Sequence, residues 1–242
     1  MLRTTITDYV GVFDNPVGVF RSLGEPVVER DVYGLPRMWV GNSAAVFVYA
    51  DGAGCRRFLK CYVRPNPHLR SVYGYVEGRR PALLPRVRLL RDELFVHTAG
   101  GEAGWVDVVE GEWTAGPTLD VAVARAGRAG DVGRLGALAD AFDVMWRELS
   151  AAEWAHGDLK PENIVVREDG TLGLIDCDAM WIPELAGCRA AELGTPGWRD
   201  PRRTAEWFDK GIDDHPARII STGLRDLVGQ PGLYGRFVVP EI

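Results

Sequence analysis

The chain has 242 residues, of which 46% are hydrophobic and 26% are charged, as expected of a globular protein with a sizeable core. Its formal net charge of −6 argues against a general nucleic-acid binder and against a protein that coats membrane surfaces. The length is sufficient for one large domain or for two small lobes around a cleft.

Cysteine usage and the N-terminal residues predict a cytoplasmic protein. The four cysteines form no Cys-x-x-Cys pair and no zinc-like cluster with histidine, so we expect reduced thiols. The first ten residues lack the apolar core of a signal peptide. The longest apolar run, at residues 44–50, is too short to cross a bilayer.

The N-terminal third begins ambiguously and then changes to strands. Two short apolar stretches within residues 1–35 fit either a helix or strands, and a turn separates them. We expect this segment to pack on the back of the first lobe and assign it no chemistry. The following residues are rich in β-branched and aromatic side chains separated by turns, which indicates an antiparallel meander. The three predicted strands cover residues 37–40, 45–50 and 57–63.

Lys60 lies in the third of these strands, on the same face as Phe58 and Tyr62. A lysine among apolar side chains requires a partner for its charge, although an exposed strand lysine is the alternative. Residues 69–78 then follow the i, i+3, i+4, i+7 pattern of an amphipathic helix. Their only acidic residue, Glu77, is the candidate ion-pair partner of Lys60, and a surface glutamate is the alternative.

The second half of the chain contains the strongest predicted helix, over residues 131–152. Asp131 is its expected N-cap, and its apolar stripe at three- and four-residue spacing is assigned to the core. A β-hairpin follows over residues 163–175, and a last helix begins after Asp213. Before the long helix, two strands are predicted at residues 87–97 and 104–109, and a short helix at residues 118–125.

The most informative run is H-G-D-L-K-P-E-N at residues 156–163, followed by L-I-D-C-D at residues 174–178. Each run lies beside an apolar, strand-like segment. Phosphoryl transfer from a magnesium-bound nucleotide needs one carboxylate to orient the attacking hydroxyl, and a second acid with an amide oxygen to hold the metal. It also needs a cation to offset charge on the group in transit. A polar loop that carries acids between two buried strands is the alternative.

Four residues of these two runs are the candidates for the separate roles. Asp158 would orient the acceptor hydroxyl, and Lys160 would offset charge on the transferred phosphoryl group. Asn163 and Asp176 would hold magnesium against the phosphates.

The first run resembles the catalytic loop H-R-D-L-K-x-x-N of Ser/Thr protein kinases, with Gly157 in place of the arginine. The separation of Asp158 from Asp176 is also that of the family. Downstream, G-T-P-G-W-R-D-P at residues 194–201 resembles the family segment G-T-P-x-Y-x-x-P-E, with Arg202 in place of the glutamate. In protein kinases that segment positions peptide substrates.

This resemblance covers about residues 36–228 and implies an α+β, two-lobed fold. A β-rich N-terminal lobe would occupy residues 1–112. A mostly helical C-terminal lobe, lacking the last helices of the family, would occupy residues 113–242. The implied activity is that of an ATP- and Mg-dependent Ser/Thr protein kinase with a protein substrate or partner, without nucleic acid or membrane. The oligomeric state is left open.

The resemblance also implies which residues surround ATP. Lys60 would pair with the α- and β-phosphates. Asp213 would brace the backbone of the catalytic loop, with an ordinary helix N-cap as the alternative. The remaining implied members of the nucleotide site are Gly41 and Val46 in the phosphate-covering loop, Glu77 beside the lysine, Glu112 and Trp113 at the hinge between the lobes, and Val165 below the adenine.

Three departures from the family pattern bear on function. Of the pattern G-x-G-x-x-G-x-V only Gly41 and Val46 are present, so the loop should hold ATP less closely. Phe58 takes the place of a small residue above the adenine. Without an arginine at Gly157, switching by phosphorylation of the activation loop is not expected. The first two departures favour a pseudokinase scaffold as one alternative, and the H-G-D and I-D-x-D sequences favour a small-molecule kinase as another.

Overall fold

The computed structural model of the chain describes residues 2–234, and within them five α-helices and two antiparallel sheets give an α+β fold. The expected α+β class is therefore confirmed. These residues divide into two units. The first runs to Arg79 and includes Arg86–Trp113, and the second combines Arg80–Pro85 with the chain from Thr114 onward. No helix in this part of the chain has the length and apolar character needed to span a bilayer.

The first unit is built on one antiparallel sheet, whose six strands are β1 (Val27–Val28), β2 (Met38–Val40), β3 (Ala44–Ala50), β4 (Arg56–Tyr62), β5 (Val87–His97) and β6 (Ala103–Glu112). The strand order is β1-β3-β4-β6-β5, and β2 also pairs with β3. The predicted three-strand meander corresponds to β2, β3 and β4, with boundaries that differ by one residue. Two helices accompany the sheet, α1 (Ile6–Asp14) and α2 (Leu69–Arg79).

Helix α1 packs on one face of this sheet. Its N-terminus is a capping box, in which Thr5 accepts from the Asp8 N–H and Asp8 accepts from the Thr5 N–H. The ring of Phe13 lies 4.2 Å from that of Phe47, centroid to centroid, in a buried cluster of side chains from α1 and the sheet. The ambiguous N-terminal segment therefore begins as a helix, and it packs on the sheet as expected.

The second unit consists of helices α3 (Leu119–Ala129), α4 (Val132–Ala151) and α5 (Asp214–Gly229) with a hairpin of β7 (Ile164–Val166) and β8 (Leu172–Leu174). The predicted long helix is α4, and its N-cap Asp131 accepts from the Arg134 N–H at 2.8 Å. Most of its apolar stripe is buried, which confirms the assignment to the core. Residues 235–242 of the expected C-terminal lobe lie outside the described residues.

The short hairpin gains backbone partners on both sides. The Leu174 N–H donates to the Leu83 carbonyl at 2.7 Å, which ties the segment Arg80–Pro85 to the second unit. On the other side, the Val166 N–H donates to the Pro117 carbonyl at 2.9 Å. These bonds satisfy backbone groups that a hairpin of two three-residue strands would otherwise leave unpaired. The chain on either side of the hairpin is thereby held in place.

A buried acid stabilises the centre of the first unit. The Glu110 side chain is fully buried and accepts hydrogen bonds from Arg57, Arg88 and Tyr49. Burial opposes ionisation of the Glu110 carboxyl, but the bonds from the two arginines outweigh it and lower the pKa. A carboxyl with a lowered pKa stabilises the folded state above its unfolded pKa, and this contribution is lost as the pH falls through the folded pKa.

We expect Glu110→Gln to lower the free energy of unfolding by about 1–3 kcal/mol at pH 7, because the hydrogen bonds lose their charged acceptor. The difference from the wild type should shrink as the pH falls below about 4.3, the pKa of an unperturbed glutamate, because the unfolded chain then binds its proton before the folded one does. Urea unfolding at several pH values measures both quantities. The control Glu112→Gln, an exposed glutamate on the same strand, should stay within about 0.5 kcal/mol of the wild type. Equal effects of the two substitutions would contradict the assignment.

Candidate functional site

A buried carboxylate holds the backbone of the loop between α4 and β7, which carries the informative run 156–163. The Asp213 carboxylate accepts from the His156 N–H at 2.5 Å and from the Gly157 N–H at 2.9 Å. Asp213 immediately precedes α5 but makes no side-chain cap to that helix. The bracing contact that the resemblance implies is thus present, and the N-cap alternative is not supported.

His156 links the same loop to the segment before Asp176. Its buried ring contacts the Ile175 carbonyl through Nε2 at 2.8 Å, and its Nδ1 accepts from the Asp158 N–H at 3.3 Å. Since Nδ1 acts as an acceptor, these partners assign the proton to Nε2. The imidazole therefore joins two backbone segments that carry acidic candidates.

Gly157 is required by the packing of this loop. Its φ is 82°, in the left-handed region, and a Cβ at this position would lie 1.9 Å from the Ala179 carbonyl oxygen. Any side chain at position 157 would displace the backbone at residue 179. The absence of an arginine here, one of the departures from the family pattern, therefore has a structural cause.

The Asp158 carboxylate is oriented by three donors. Oδ1 accepts from the Thr195 N–H at 2.5 Å, and Oδ2 accepts from the Asn163 amide nitrogen at 3.1 Å. The Lys160 ammonium lies 3.3 Å from Oδ2. An ionised carboxylate offers about four acceptor positions, so one position on Oδ1 remains for a further donor. The geometry allows Asp158 to accept one more hydrogen bond while its orientation stays set by the other three.

Lys160 is shared between the loop and the downstream segment 194–201. Its ammonium donates to the Thr195 hydroxyl at 2.9 Å in addition to its ion pair with Asp158. The side chain is only partly exposed. Lys160 therefore places a positive charge directly beside the candidate base.

The two predicted magnesium ligands lie at the same end of the hairpin. The Ile175 N–H donates to the Asn163 carbonyl at 3.0 Å, which makes Asn163 and Asp176 neighbours across the hairpin. Because the Asn163 amide nitrogen donates to Asp158, its amide oxygen is the atom left to coordinate a metal. Asp176 is exposed and has φ of 67°, a conformation that non-glycine residues adopt rarely.

This pair of oxygen donors fits magnesium better than it fits a metal that needs a full protein cage. In the part of the chain that the structure describes, no group of three or more His, Cys, Asp or Glu side chains could hold a metal ion. Magnesium is commonly bound by one or two carboxylates, and waters and phosphate oxygens complete its coordination. An amide oxygen and a carboxylate agree with that requirement.

In the first unit, Lys60 and Val46 lie side by side on one face of the sheet. They are paired residues of β3 and β4, and Val46 also pairs with Trp39 of β2. Lys60 is 7% exposed, and its ammonium lies 5.7 Å from the centre of the Tyr62 ring. The predicted sharing of a face by Lys60 and Tyr62 is therefore present. This face is opposite to the one that α1 covers, because Phe47 and Leu59 alternate with these residues.

The predicted phosphate-covering loop is a short turn. Residues 41–43 connect β2 to β3, and the Gly41 N–H closes the turn on the Ala44 carbonyl at 2.9 Å. Trp39 stacks on Trp113 with ring centroids 5.0 Å apart. The turn carries a single glycine, so fewer backbone positions can approach a phosphate than in a glycine-rich loop.

Three of the predicted nucleotide-site residues need correction, Glu77, Glu112 and Trp113. Glu77 lies on the exposed face of α2 and makes no ion pair with Lys60. The reason is its helical phase, since Tyr73 and Val76 occupy the buried side. The pairing of Lys60 with Glu77 was therefore wrong.

The predicted hinge residues Glu112 and Trp113 lie at the end of the first unit, but their amides are already used. Glu112 belongs to β6, and its N–H donates to the Arg86 carbonyl at 2.9 Å. The Trp113 N–H donates to the Arg56 carbonyl at 3.2 Å. Both amides are committed to the sheet and cannot donate to an adenine. Strand β6 was predicted to end at residue 109, and the extra residues account for the error.

The remaining predicted contact residues lie within regular structure. Val165 is buried in β7, where it bridges to Thr118. Phe58 is half-buried and rests on Gly111, where an added Cβ would lie 2.6 Å from the phenyl ring. The phenyl ring therefore covers the backbone of β6 on the Lys60 face.

Sequence reasoning missed two residues of the site. Thr195 contacts both Asp158 and Lys160, and the only signal was its place in the G-T-P segment. Arg203 is buried and donates to the Gly157 carbonyl at 2.6 Å, and no pattern in the sequence pointed to it. Both residues lie more than 30 positions beyond the loop that they contact.

The chain was compared with protein-family models and with curated proteins. No protein-family model matches the chain, and no curated protein is detectably similar to it in sequence.

The contact between the buried Asp213 carboxylate and the loop backbone makes a prediction about stability. Burial raises the pKa of the Asp213 carboxyl, while the backbone N–H groups of Gly157 and His156 and the guanidinium of Arg203 oppose that rise. We expect Asp213→Asn to lower the free energy of unfolding by about 2–3 kcal/mol, because an NH2 group would replace one of the two oxygens that accept the N–H groups. The neighbouring exposed control Asp214→Asn should change it by less than about 0.5 kcal/mol. Chemical denaturation compares the two, and equal stability would contradict the role of Asp213.

Proposed function

We propose that this chain is an ATP- and Mg-dependent phosphotransferase, of the Ser/Thr protein kinase type, with Asp158 as the group that orients the acceptor hydroxyl. The observation that carries the proposal is the environment of Asp158. Three donors set the direction of its carboxylate, and one acceptor position on Oδ1 remains. A general base needs this combination, because it must be held still and must still reach the proton that it accepts.

The chemistry assigned to the second unit follows from its charges. Asp158 would accept a hydrogen bond from the attacking hydroxyl and then take its proton. Lys160, beside it, would offset negative charge on the phosphoryl group in transit. Asn163 and Asp176 would hold the magnesium ion, which neutralises charge on the phosphates when bound.

The first unit would bind the nucleotide through Lys60. Phosphate oxygens are suitable partners for its ammonium, because hydrogen bonds between two charged groups are short and strong. Val46 lies beside Lys60 on the same face and offers an apolar surface for a base. The backbone at Gly41 would approach a phosphate.

A hydroxyl on a protein is the acceptor that the site supports best. Thr195 comes from the segment that resembles the peptide-positioning segment of protein kinases, and it bonds directly to Asp158 and Lys160. A protein substrate docked on that segment would be close to the base. We place this activity in the cytoplasm, where the cysteines are expected to be reduced.

Asp158→Asn tests the assignment. It removes the basic carboxylate while it preserves size and polarity, so we expect transfer of labelled phosphate from ATP to a generic Ser/Thr substrate to fall about 10²–10⁴-fold. Affinity for ATP should stay nearly the same, because Asp158 is not assigned to nucleotide binding. The control is Glu162→Gln, an exposed acid in the same loop, which should keep its activity. Equal transfer by Asp158→Asn and the wild type would refute the proposal.

A scaffold that does not transfer phosphate is the second candidate. Three observations favour it, all in the first unit. Glu77 does not pair with Lys60, the turn at residues 41–43 has one glycine, and the Phe58 ring covers part of the Lys60 face. Each weakens nucleotide binding without touching the residues around Asp158.

Thermal unfolding with ATP distinguishes the two candidates. A ligand at 100 times its dissociation constant stabilises the folded state by about 2.7 kcal/mol. The phosphotransferase should therefore show a rise in Tm that requires magnesium. Lys60→Met and Asn163→Ala should reduce that rise, the first through the phosphates and the second through the metal. A wild-type Tm that ATP and magnesium leave unchanged would favour the scaffold.

A further inference from the structure

Arg203 is a buried arginine with unusual hydrogen bonding. It is 6% exposed, and its Nη1 donates to the Gly157 carbonyl at 2.6 Å. Its Nε and Nη2 atoms are buried and make no hydrogen bond to any described residue. A purely structural position would normally hold an apolar side chain, because burying a guanidinium with unmet donors costs free energy.

The surroundings of Arg203 explain why a positive charge is kept there. Burial lowers the pKa of its guanidinium, while the carboxylates of Asp213 and Asp158 oppose that effect. A Cβ placed at Gly194 would lie 3.3 Å from both Arg203 Nη1 and Asp158 Oδ1. The guanidinium is therefore close to the candidate base, and the carboxylate that braces the loop also acts on its charge.

Arg203 and Asp213 bind the same stretch of backbone, Arg203 as a hydrogen-bond donor and Asp213 as an acceptor. Asp213 accepts from the N–H groups of His156 and Gly157, and Arg203 donates to the carbonyl of Gly157. That carbonyl belongs to the peptide unit whose N–H is on Asp158. The orientation of this peptide sets where the Asp158 side chain begins.

The loop cannot supply this contact itself. Position 157 accepts no side chain, because a Cβ there would overlap the Ala179 carbonyl. The cation must therefore come from elsewhere in the chain, and Arg203 provides it from 46 residues downstream.

We propose that Arg203 is a positioning residue that fixes the Gly157–Asp158 peptide, and so the direction of the Asp158 carboxylate, through its bond to the Gly157 carbonyl. For catalysis this rests on the proposed function, but the positioning itself does not. Arg203 touches no reacting atom in this assignment. Its effect on the reaction passes through the backbone of residue 157.

The first experiment needs no activity. Hydrogen exchange measured by mass spectrometry on peptides that span residues 154–160 is compared for the wild type, Arg203→Met, Arg203→Lys and the control Arg202→Met. Arg202 is the adjacent arginine, with a side chain 81% exposed and paired with Asp200. Loss of a hydrogen bond from a charged donor should speed exchange by about 10–100-fold in Arg203→Met at Asp158, whose N–H belongs to the freed peptide, and at the neighbouring His156 and Gly157. Arg203→Lys should stay close to the wild type, and Arg202→Met should be unchanged.

Exchange in α4 reports whether each variant is folded. If Arg203→Met also loses protection from exchange in α4, the same experiment is done with Arg203→Gln. Its uncharged amide is too short to keep the contact with the Gly157 carbonyl. Faster exchange confined to residues 156–158 supports the proposal. The same exchange in the Arg203 and Arg202 variants would overturn it.

The second experiment measures steady-state phosphate transfer. Misplacement of a catalytic group by about 1 Å costs on the order of 10²-fold in rate, so kcat of Arg203→Met should fall about 10–100-fold while KM for ATP stays within about twofold. Arg203→Lys should restore most of kcat. A loss shared equally between kcat and KM, or no rescue by lysine, counts against positioning. If the wild type transfers no phosphate, the proposed function fails, and the exchange experiment still decides the role of Arg203.

Discussion

The acceptance of two backbone N–H groups by the Asp213 carboxylate is the interaction on which the candidate site depends. The two donors lie 57 and 56 residues before Asp213 in the chain, so the shape of this loop cannot form from local sequence alone. A buried carboxylate is costly, and it is tolerated because both oxygens have donors and a guanidinium lies nearby. The loop around Asp158 is therefore formed only when α5 is in place.

Left-handed backbone conformations complete that arrangement. Gly157 and Gly194 both have positive φ, and at each a Cβ would overlap neighbouring backbone. Their lack of side chains lets the loop and the downstream segment approach closely enough for Thr195 to bond to Asp158. Asp176 also has a positive φ, although it carries a side chain. Such strained backbone conformations tend to occur at functional positions. Close packing and strain thus occur at the same end of the hairpin.

The sequence predicted those parts of the fold that depend on local periodicity. Helix α4, with its Asp131 cap and apolar stripe, was visible because one face is buried along its whole length. Glu77 was misassigned because the pattern of α2 shows which side is buried, but not that an acid near its end falls on the other side. Arg203 was invisible for a different reason. Its partner is a carbonyl, and backbone acceptors carry no sequence signature.

The two units differ in how much of the expected chemistry they retain. Every contact that orients Asp158 lies within the second unit, and its donors are Thr195, Asn163 and Lys160. The departures at Phe58, Glu77 and the single-glycine turn all lie in the first. Orienting a base and holding a nucleotide are separate physical requirements, since the first depends on hydrogen bonds to one carboxylate and the second on space and charge for phosphates. For the proposed phosphotransferase, this difference predicts a well-oriented base together with a low affinity for ATP.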